Sequence, residues 1–317
     1  MSQKSRLVLF TLAVFLFVSA FAAGEEIAGA PTHVVISPVA NMYRAATLDS
    51  DVVSQAIYST NVFIVSDGPP STDPNWVHVR TPDAYTGWMQ VNELKPLRDS
   101  PYAAGGQVVR VSQRSANVYR EPDVTAHAPL LNLPWETRLE VINEKVNSGE
   151  RWLKVRLPDG RQGYVQKGDV SSDFTPLTID QTIALARNFL GITYTWGGTS
   201  SFGYDCSGFV QMLVRQRGII MPRDADEQAA WSGVAPVQRK DLQPGDLLYF
   251  GSGPDKITHT GMYIGSGEFI HDTTNTHPMV QISKLDAAPW TTLLVAARRV
   301  KQQPAQDSNP QQEARSK

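Results

Sequence analysis

The chain carries one cysteine and six histidines in 317 residues, so a single thiol, Cys206, and a short set of candidate bases define what nucleophilic chemistry it can do. Cys206 stands in the run Trp196-Gly197-Gly198-Thr199-Ser200-Ser201-Phe202-Gly203-Tyr204-Asp205-Cys206-Ser207-Gly208-Phe209, a glycine-rich turn leading into an apolar stripe of Phe209, Val210, Leu213 and Val214. That stripe has helical spacing, and Gly218 is a natural stop. The pattern predicts Cys206 in the first turn of a helix with Asp205 as its N-cap. There the helix dipole favours thiolate over thiol, and unpaired backbone N–H groups can hold an oxyanion. A small buried cysteine would be the bland alternative, but this flank favours a nucleophile.

A thiol nucleophile needs a base. His33, His78 and His127 lie in the N-terminal half and read as strand or surface residues, whereas His259, His271 and His277 lie beyond the cysteine. The segment from Thr258 to Ile264 alternates as a strand, Gly265-Ser266-Gly267 turns, and Glu268 to His271 alternates back. A three-residue loop would pair Ile264 with Glu268, set His271 opposite Gly261 and bring it diagonally beside His259 on one face, about 7–8 Å away at the backbone. A two-residue turn would send the two imidazoles to opposite faces. On the first register His259 serves as base and then acid, and His271 orients it.

The elements that must hold these residues show in the rest of the chain. Asn41-Met42-Tyr43-Arg44 recurs as Asn117-Val118-Tyr119-Arg120, and Trp76-Val77-His78-Val79-Arg80 as Trp152-Leu153-Lys154-Val155-Arg156, both at an offset of 76. Pro82-Asp83 and Gly87-Trp88-Met89 return as Pro158-Asp159 and Gly163-Tyr164-Val165 at the same offset. Two copies of one β-rich module are expected, because the segments are short, alternating and punctuated by Gly, Pro, Asn and Asp. The copies diverge at Tyr85, which Arg161 replaces in the second, in a loop before the Gly-aromatic strand. After the linker Ser172–Pro176, apolar residues from Asp180 to Leu190 fall at helical spacing with Thr178 as N-cap, opening a third unit.

The two ends have a different texture. Lys4 and Arg6 precede an apolar run from Leu7 to Val18, and Ala20-Phe21-Ala22 fits a cleavage site, so residues 1–23 are expected to be a signal peptide rather than a stable membrane anchor. The sequence thus predicts export, to the periplasm or to the extracellular face of the wall. Residues 302–317, rich in Gln, Pro and Ser, read as a disordered tail. A balance of 29 basic against 31 acidic residues leaves a net charge of -2, which disfavours a nucleic-acid partner. One cysteine excludes an intrachain disulfide and a cysteine-built metal cage, and no metal or cofactor is expected.

The repeats resemble bacterial SH3-like modules. The third unit resembles the NlpC/p60 family of papain-like cell-wall peptidases through four ordered motifs: Asp205-Cys206-Ser207-Gly208-Phe209 after Trp196-Gly197-Gly198, Pro222-Arg223-Asp224, Pro244-Gly245-Asp246-Leu247, and His259-Thr260-Gly261-Met262-Tyr263-Ile264-Gly265 leading to His271. Within that family the chain is most similar to the γ-D-glutamyl-L-diamino acid endopeptidases that carry N-terminal SH3-like modules.

The resemblance implies an α+β fold: two small all-β SH3-like barrels over residues 32–98 and 105–172, then a papain-like peptidase over 177–301. It implies Cys206 as nucleophile, His259 as base and His271 as third member of a triad. It further implies a cut between γ-D-glutamate and meso-diaminopimelate or L-lysine in peptidoglycan stem peptides with a free N-terminal L-alanine. Tyr85 and Asp205 would hold the alanine amine, Trp196 would line the pocket, Ser207 would contribute near the oxyanion, and Asp224 would contact substrate. Ala225 replaces a serine frequent in relatives, which puts the glutamate side of the specificity in question. A monomer is expected. Two rival readings are a D,L-endopeptidase on intact peptidoglycan with the repeats as wall-binding modules, and a non-catalytic wall-binding adaptor.

Overall fold

The structure, a computed structural model, describes residues 30–65, 71–142 and 151–301; the expected signal peptide and C-terminal tail lie outside the described residues. The first β-rich unit comprises β1 (His33–Val35), β2 (Val39–Tyr43), β3 (Val52–Ile57), β4 (Asn61–Ile64), β5 (Trp76–Arg80), β6 (Thr86–Gln90) and β7 (Leu94–Pro96), in sheet order β3-β2-β6-β5-β4-β1-β7. The second comprises β8 (Val108–Val111), β9 (Ser115–Val118), β10 (Leu131–Pro134), β11 (Arg138–Val141), β12 (Trp152–Arg156), β13 (Gln162–Gln166) and β14 (Val170–Ser171).

The 76-residue repeat is visible as geometry. Val79 and Val155 are fully buried at equivalent positions, as alternation on a half-buried strand requires. Tyr43 meets Trp76 edge to face at 5.2 Å between ring centroids, and Tyr119 meets Trp152 the same way at 5.5 Å. Each copy turns from its tryptophan strand into its Gly-aromatic strand through a residue with positive φ, Ala84 in one and Gly160 in the other.

The third segment begins with α1 (Ile179–Arg187), whose N-cap Thr178 and N3 residue Gln181 form a reciprocal capping box. A small hairpin, β15 (Thr199–Ser200) and β16 (Gly203–Tyr204), leads into α2 (Cys206–Arg215), followed by α3 (Ala225–Ala230) and β17 (Val234–Pro236). Then come β18 (Leu247–Gly253), β19 (Lys256–Gly265), β20 (Glu268–Thr273), β21 (Met279–Lys284), the short α4 (Trp290–Leu293) and β22 (Leu294–Val300).

Six of these strands form one antiparallel sheet in the order β17-β22-β18-β19-β20-β21. Helices α1 and α2 cover one face, where Phe209, Leu213, Tyr249, Met262 and Ile270 share a core, and α4 covers the other with Phe250, Phe269 and Trp290. Helices on an antiparallel sheet are the α+β arrangement expected from the sequence. Helix α2 is buried along nearly its whole length, because the first two units pack onto it as well. Gln211 donates to Asp83 of the first unit at 2.8 Å, and Arg215 bonds Glu136 of the second at 2.6 Å.

Candidate active site

Cys206 is the first residue of α2, and the Asp205 carboxylate caps the helix by accepting from the Gly208 N–H at 2.7 Å. The glycine-rich run upstream has a steric reason. A Cβ on Gly208 would lie 2.2 Å from the Gly198 carbonyl oxygen, so the turn can press against the start of the helix only without that side chain. The thiol is buried, and the backbone N–H groups of Thr260 on β19 and of Ser207 favour its ionised form. Helix α2 packs against β19, so the nucleophile's helix and the strand that carries His259 are neighbours.

The hairpin that carries the histidines differs from expectation at its tip and agrees in its body. Gly265 pairs with Glu268 around a two-residue turn, Ser266 and Gly267, both with positive φ as the mirror-image hairpin turns require. Taken alone, that turn would have split the histidines between faces. A register shift at Ile264 inserts the missing residue, so Tyr263 pairs with Phe269 and Met262 with Ile270, the register that a three-residue loop would have set. His271 therefore falls opposite Gly261, whose missing Cβ would sit 2.9 Å from the His271 Cβ.

His259 Nε2 and His271 Nδ1 are 2.7 Å apart. His271 Nε2 continues to the Ser283 hydroxyl on β21 at 2.9 Å. Trp290 stacks on the His259 ring at 5.2 Å and meets His271 edge-on at 4.7 Å, while Phe250 and Phe269 close the remaining sides. His277, exposed on the loop after β20, is no part of this group.

Burial sets the protonation of the site. It pushes the Cys206 thiol up to about 12, with the Asp205 charge adding to the effect and the Thr260 amide and Arg223 opposing it. It pulls His259 down to about 4 and His271 well below the ordinary imidazole value, the latter helped by its neighbour His259. The thiolate preference expected at the helix N-terminus is thus opposed by desolvation at this depth, and burial favours a neutral thiol and neutral imidazoles. Such a pair acts by transferring a proton as the nucleophile attacks.

The other candidate residues gather at the seam between α2, α3 and the first β-rich unit. Tyr85 donates its phenol proton to Asp224 Oδ2 at 3.1 Å. Asp205 does not meet Tyr85. Besides capping α2 it is held by Arg223 through both oxygens, at 3.0 and 2.5 Å, and by the Ser207 hydroxyl at 3.3 Å. Ser207 in turn accepts from Arg223 at 2.7 Å and is buried. Trp196 lies at the surface, 71% exposed. Ala225 is buried at the start of α3, so nothing polar replaces the missing hydroxyl there.

Several residues that complete the site escape sequence reasoning. Arg223, 2% exposed, reaches Ser54 of the first unit as well as Asp205. It stands within the Pro-Arg-Asp motif, and a lone arginine between Pro222 and Asp224 in an apolar neighbourhood is the available signal. Tyr194 has its ionisation suppressed by burial and then by the charges of Cys206, Asp205 and Asp272, so its phenol stays protonated within the field of the site. Ser283 and Trp290 carry no local signal, because only the pairing of β20 with β21 and the packing of α4 bring them to the histidines.

Comparison with known proteins agrees with this geometry. Residues 191–299 match the model of the NlpC/P60 family. A γ-D-glutamyl-L-lysine dipeptidyl-peptidase of Bacillus subtilis is 30% identical over 271 residues, 79% of this chain and 82% of that protein. A protein of the same name from Bacillus cereus is 32% identical over 227 residues, and the alignment spans 69% of this chain and 66% of the relative's length. Among solved structures, the crystal structure of an NlpC/P60 family protein from Bacillus cereus superposes with a TM-score of 0.71 at 25% identity, covering 86% of this chain and 100% of that one.

Proposed function

Because the chain belongs to the NlpC/P60 family of cysteine peptidases, we propose that it hydrolyses the amide between γ-D-glutamate and the following diamino acid, meso-diaminopimelate or L-lysine, in peptidoglycan stem peptides with a free N-terminal L-alanine. The observation that carries this reading is the 2.7 Å contact between His271 and His259, the latter on β19, the strand that packs against the helix beginning at Cys206. The names of the Bacillus relatives support the bond and the dipeptide register.

In this reading the Cys206 sulfur attacks the γ-carbonyl while His259 takes the thiol proton. The oxyanion forms at the start of α2, where backbone N–H groups lack helical partners. Tyr194, kept neutral by burial and by the charges of the site, would offer a further O–H to the developing charge. Collapse expels the diamino acid's amine, which takes the proton from His259 and leaves a thioester between Cys206 and L-Ala-γ-D-Glu. A water deprotonated by His259 then releases the dipeptide and restores the thiol.

Recognition of the amine falls to Tyr85 and Asp224 in this proposal. Asp205 already accepts from Arg223, Ser207 and the Gly208 N–H, whereas Asp224 has Tyr85 as its hydrogen-bond partner and keeps more acceptor capacity for an ammonium. Asp205 then contributes its negative field, and Trp196 lines the approach. We further infer that residues 32–98 and 105–172 are SH3-like modules, the first forming the wall that restricts the site to short peptides. The chain would act as a monomer, exported to the periplasm or the wall after its signal peptide is removed.

The test uses L-Ala-γ-D-Glu-meso-diaminopimelate and its N-acetylated twin, with Cys206→Ala as control, read by mass spectrometry. Release of L-Ala-γ-D-Glu from the free-amine peptide alone is the expected result. Equal cleavage of both peptides would refute the amine clamp. Absence of cleavage, with intact sacculi also untouched, would overturn the peptidase substrate itself.

A further inference from the structure

We propose that Ser283 is a fourth member of the catalytic group, a positioning residue whose hydroxyl fixes the tautomers of both histidines so that His259 presents a bare nitrogen to Cys206. This rests on the peptidase reading above and adds a residue to it. The geometry is a chain of two contacts in line, His259 Nε2 to His271 Nδ1 at 2.7 Å and His271 Nε2 to Ser283 Oγ at 2.9 Å.

Each ring nitrogen in that chain must be a donor or an acceptor, and the buried thiol decides which. His259 can take the Cys206 proton only at Nδ1, because Nε2 faces His271. In a neutral imidazole a bare Nδ1 requires the hydrogen on Nε2. His259 Nε2–H then donates to His271 Nδ1, which must be bare, so His271 carries its own hydrogen on Nε2. That hydrogen needs an acceptor, and the Ser283 oxygen is the group within reach. The opposite polarity, with Ser283 donating, would put a hydrogen on His259 Nδ1. It would then suit only a thiolate, which burial opposes.

The surroundings leave the task to Ser283. Phe250 from β18, Phe269 from β20 and Trp290 from α4 pack on the two imidazoles, and none of them titrates near neutrality or offers an oxygen acceptor. His271 itself is fully buried, so bulk water does not take its Nε2–H. An alanine at 283 would leave that donor without an acceptor among the described residues and allow His271 to flip its tautomer. When His259 becomes imidazolium during attack, His271 Nδ1 accepts the charged N–H, and the Ser283 contact strengthens that acceptor through the ring.

The experiment measures two things on Ser283→Ala and Ser283→Thr in the full-length mature protein. The first is the pH dependence of alkylation of the lone cysteine by iodoacetamide, and the second is kcat and KM on the free-amine peptide. Ser283→Ala is expected to lower kcat and the neutral-pH alkylation rate roughly tenfold, the size of one lost hydrogen bond in a desolvated site. KM should stay unchanged, the acid limb should move to lower pH, and Ser283→Thr should restore most of the loss. Wild-type kcat and alkylation profile in Ser283→Ala, or a loss in Ser283→Ala that Ser283→Thr does not restore, would overturn the proposal. Alkylation needs no substrate, so it reads the relay even if the proposed peptide is not cleaved, and peptide cleavage with an unaffected Ser283→Ala would sink the relay while sparing the peptidase reading.

Discussion

Replacing Asp272 with asparagine should shift stability relative to wild type in the variant's favour as pH rises. Asp272 lies on β20 immediately after His271, fully buried, and neither carboxylate oxygen has a hydrogen-bond partner. Burial, and then the charge of Asp205, raise it from 3.8 to about 8, with the Thr273 amide, short of hydrogen-bond geometry, opposing them weakly. An acid whose folded value is raised contributes its full stability below its unfolded value and loses it as pH climbs toward the folded value. In the wild type that loss runs from about pH 4 to about pH 8, and at about 1.36 kcal/mol per unit it amounts to about 4 kcal/mol between pH 5 and pH 8. Asparagine does not titrate, so the advantage of Asp272→Asn over wild type should rise by about that much over the same interval. The unpaired amide adds a pH-independent cost of about 1–3 kcal/mol, which shifts the curve without changing its slope. The assay is urea unfolding at pH 5, 6.5 and 8, followed by reaction of Cys206 with an aromatic disulfide that labels thiols even at acid pH. As the lone cysteine is buried in the same unit, labelling reports that unit's opening and not the unfolding of the β-rich units. A difference between variant and wild type that is constant from pH 5 to pH 8 would refute the reasoning, since it would mean that Asp272 ionises normally in the folded protein.

Two further outcomes follow from the site. His259 must be neutral to accept the thiol proton and is held at about 4 by burial, so activity on the free-amine peptide should persist to pH 5 and fall as pH drops through the region of 4; a kcat/KM profile with its acid limb near the ordinary imidazole value of 6.5 would contradict that. Gly261→Ala would place a Cβ 2.8 Å from Phe269 and 2.9 Å from the His271 Cβ, displacing the third triad member, so kcat should fall by about a hundredfold or more while circular dichroism shows the fold retained; wild-type kcat would refute it.

Much of the fold and the site is legible in the sequence wherever the signals are local. A cap followed by a stripe places Cys206 at the start of α2, and the 76-residue repeat places Trp76 and Trp152 on equivalent strands, since each depends on neighbours a few residues away. The histidine pair is half legible: alternation on the two arms is plain, but Ser266 and Gly267 form a two-residue turn that only the register shift at Ile264 corrects, and a bulge leaves no pattern in composition. Sequence reasoning weighs only one side of the ionisation of Cys206, because a helix dipole is visible in sequence while the depth at which the thiol is buried is not. It assigns Asp205 to the amine from its place beside Cys206 and does not reveal that Arg223, 18 residues on, is brought to that carboxylate by tertiary packing. Ser283 and Trp290 belong to elements whose contact with the histidines is set wholly by strand order.

Burial also explains why the two β-rich units close on one helix. A neutral thiol and a neutral imidazole react only if the proton path between them is short and fixed, because neither charge is stable alone in that environment. Strand β19 is fixed by the sheet, so the freedom that matters is that of α2, and α2 is held along its length. Its start is capped by Asp205, which Arg223 locks while reaching Ser54 of the first unit. Its middle is tied to the first unit through Gln211 and Asp83. Its end is tied to the second unit through Arg215 and Gln216, which converge on Glu136. The same Glu136 has positive φ, a conformation tolerated because its backbone N–H bonds the Val111 carbonyl and its carboxylate is engaged by α2. The repeats therefore hold the helix of Cys206 from two sides, and the first of them brings Tyr85 to Asp224 from the loop where the two copies diverge.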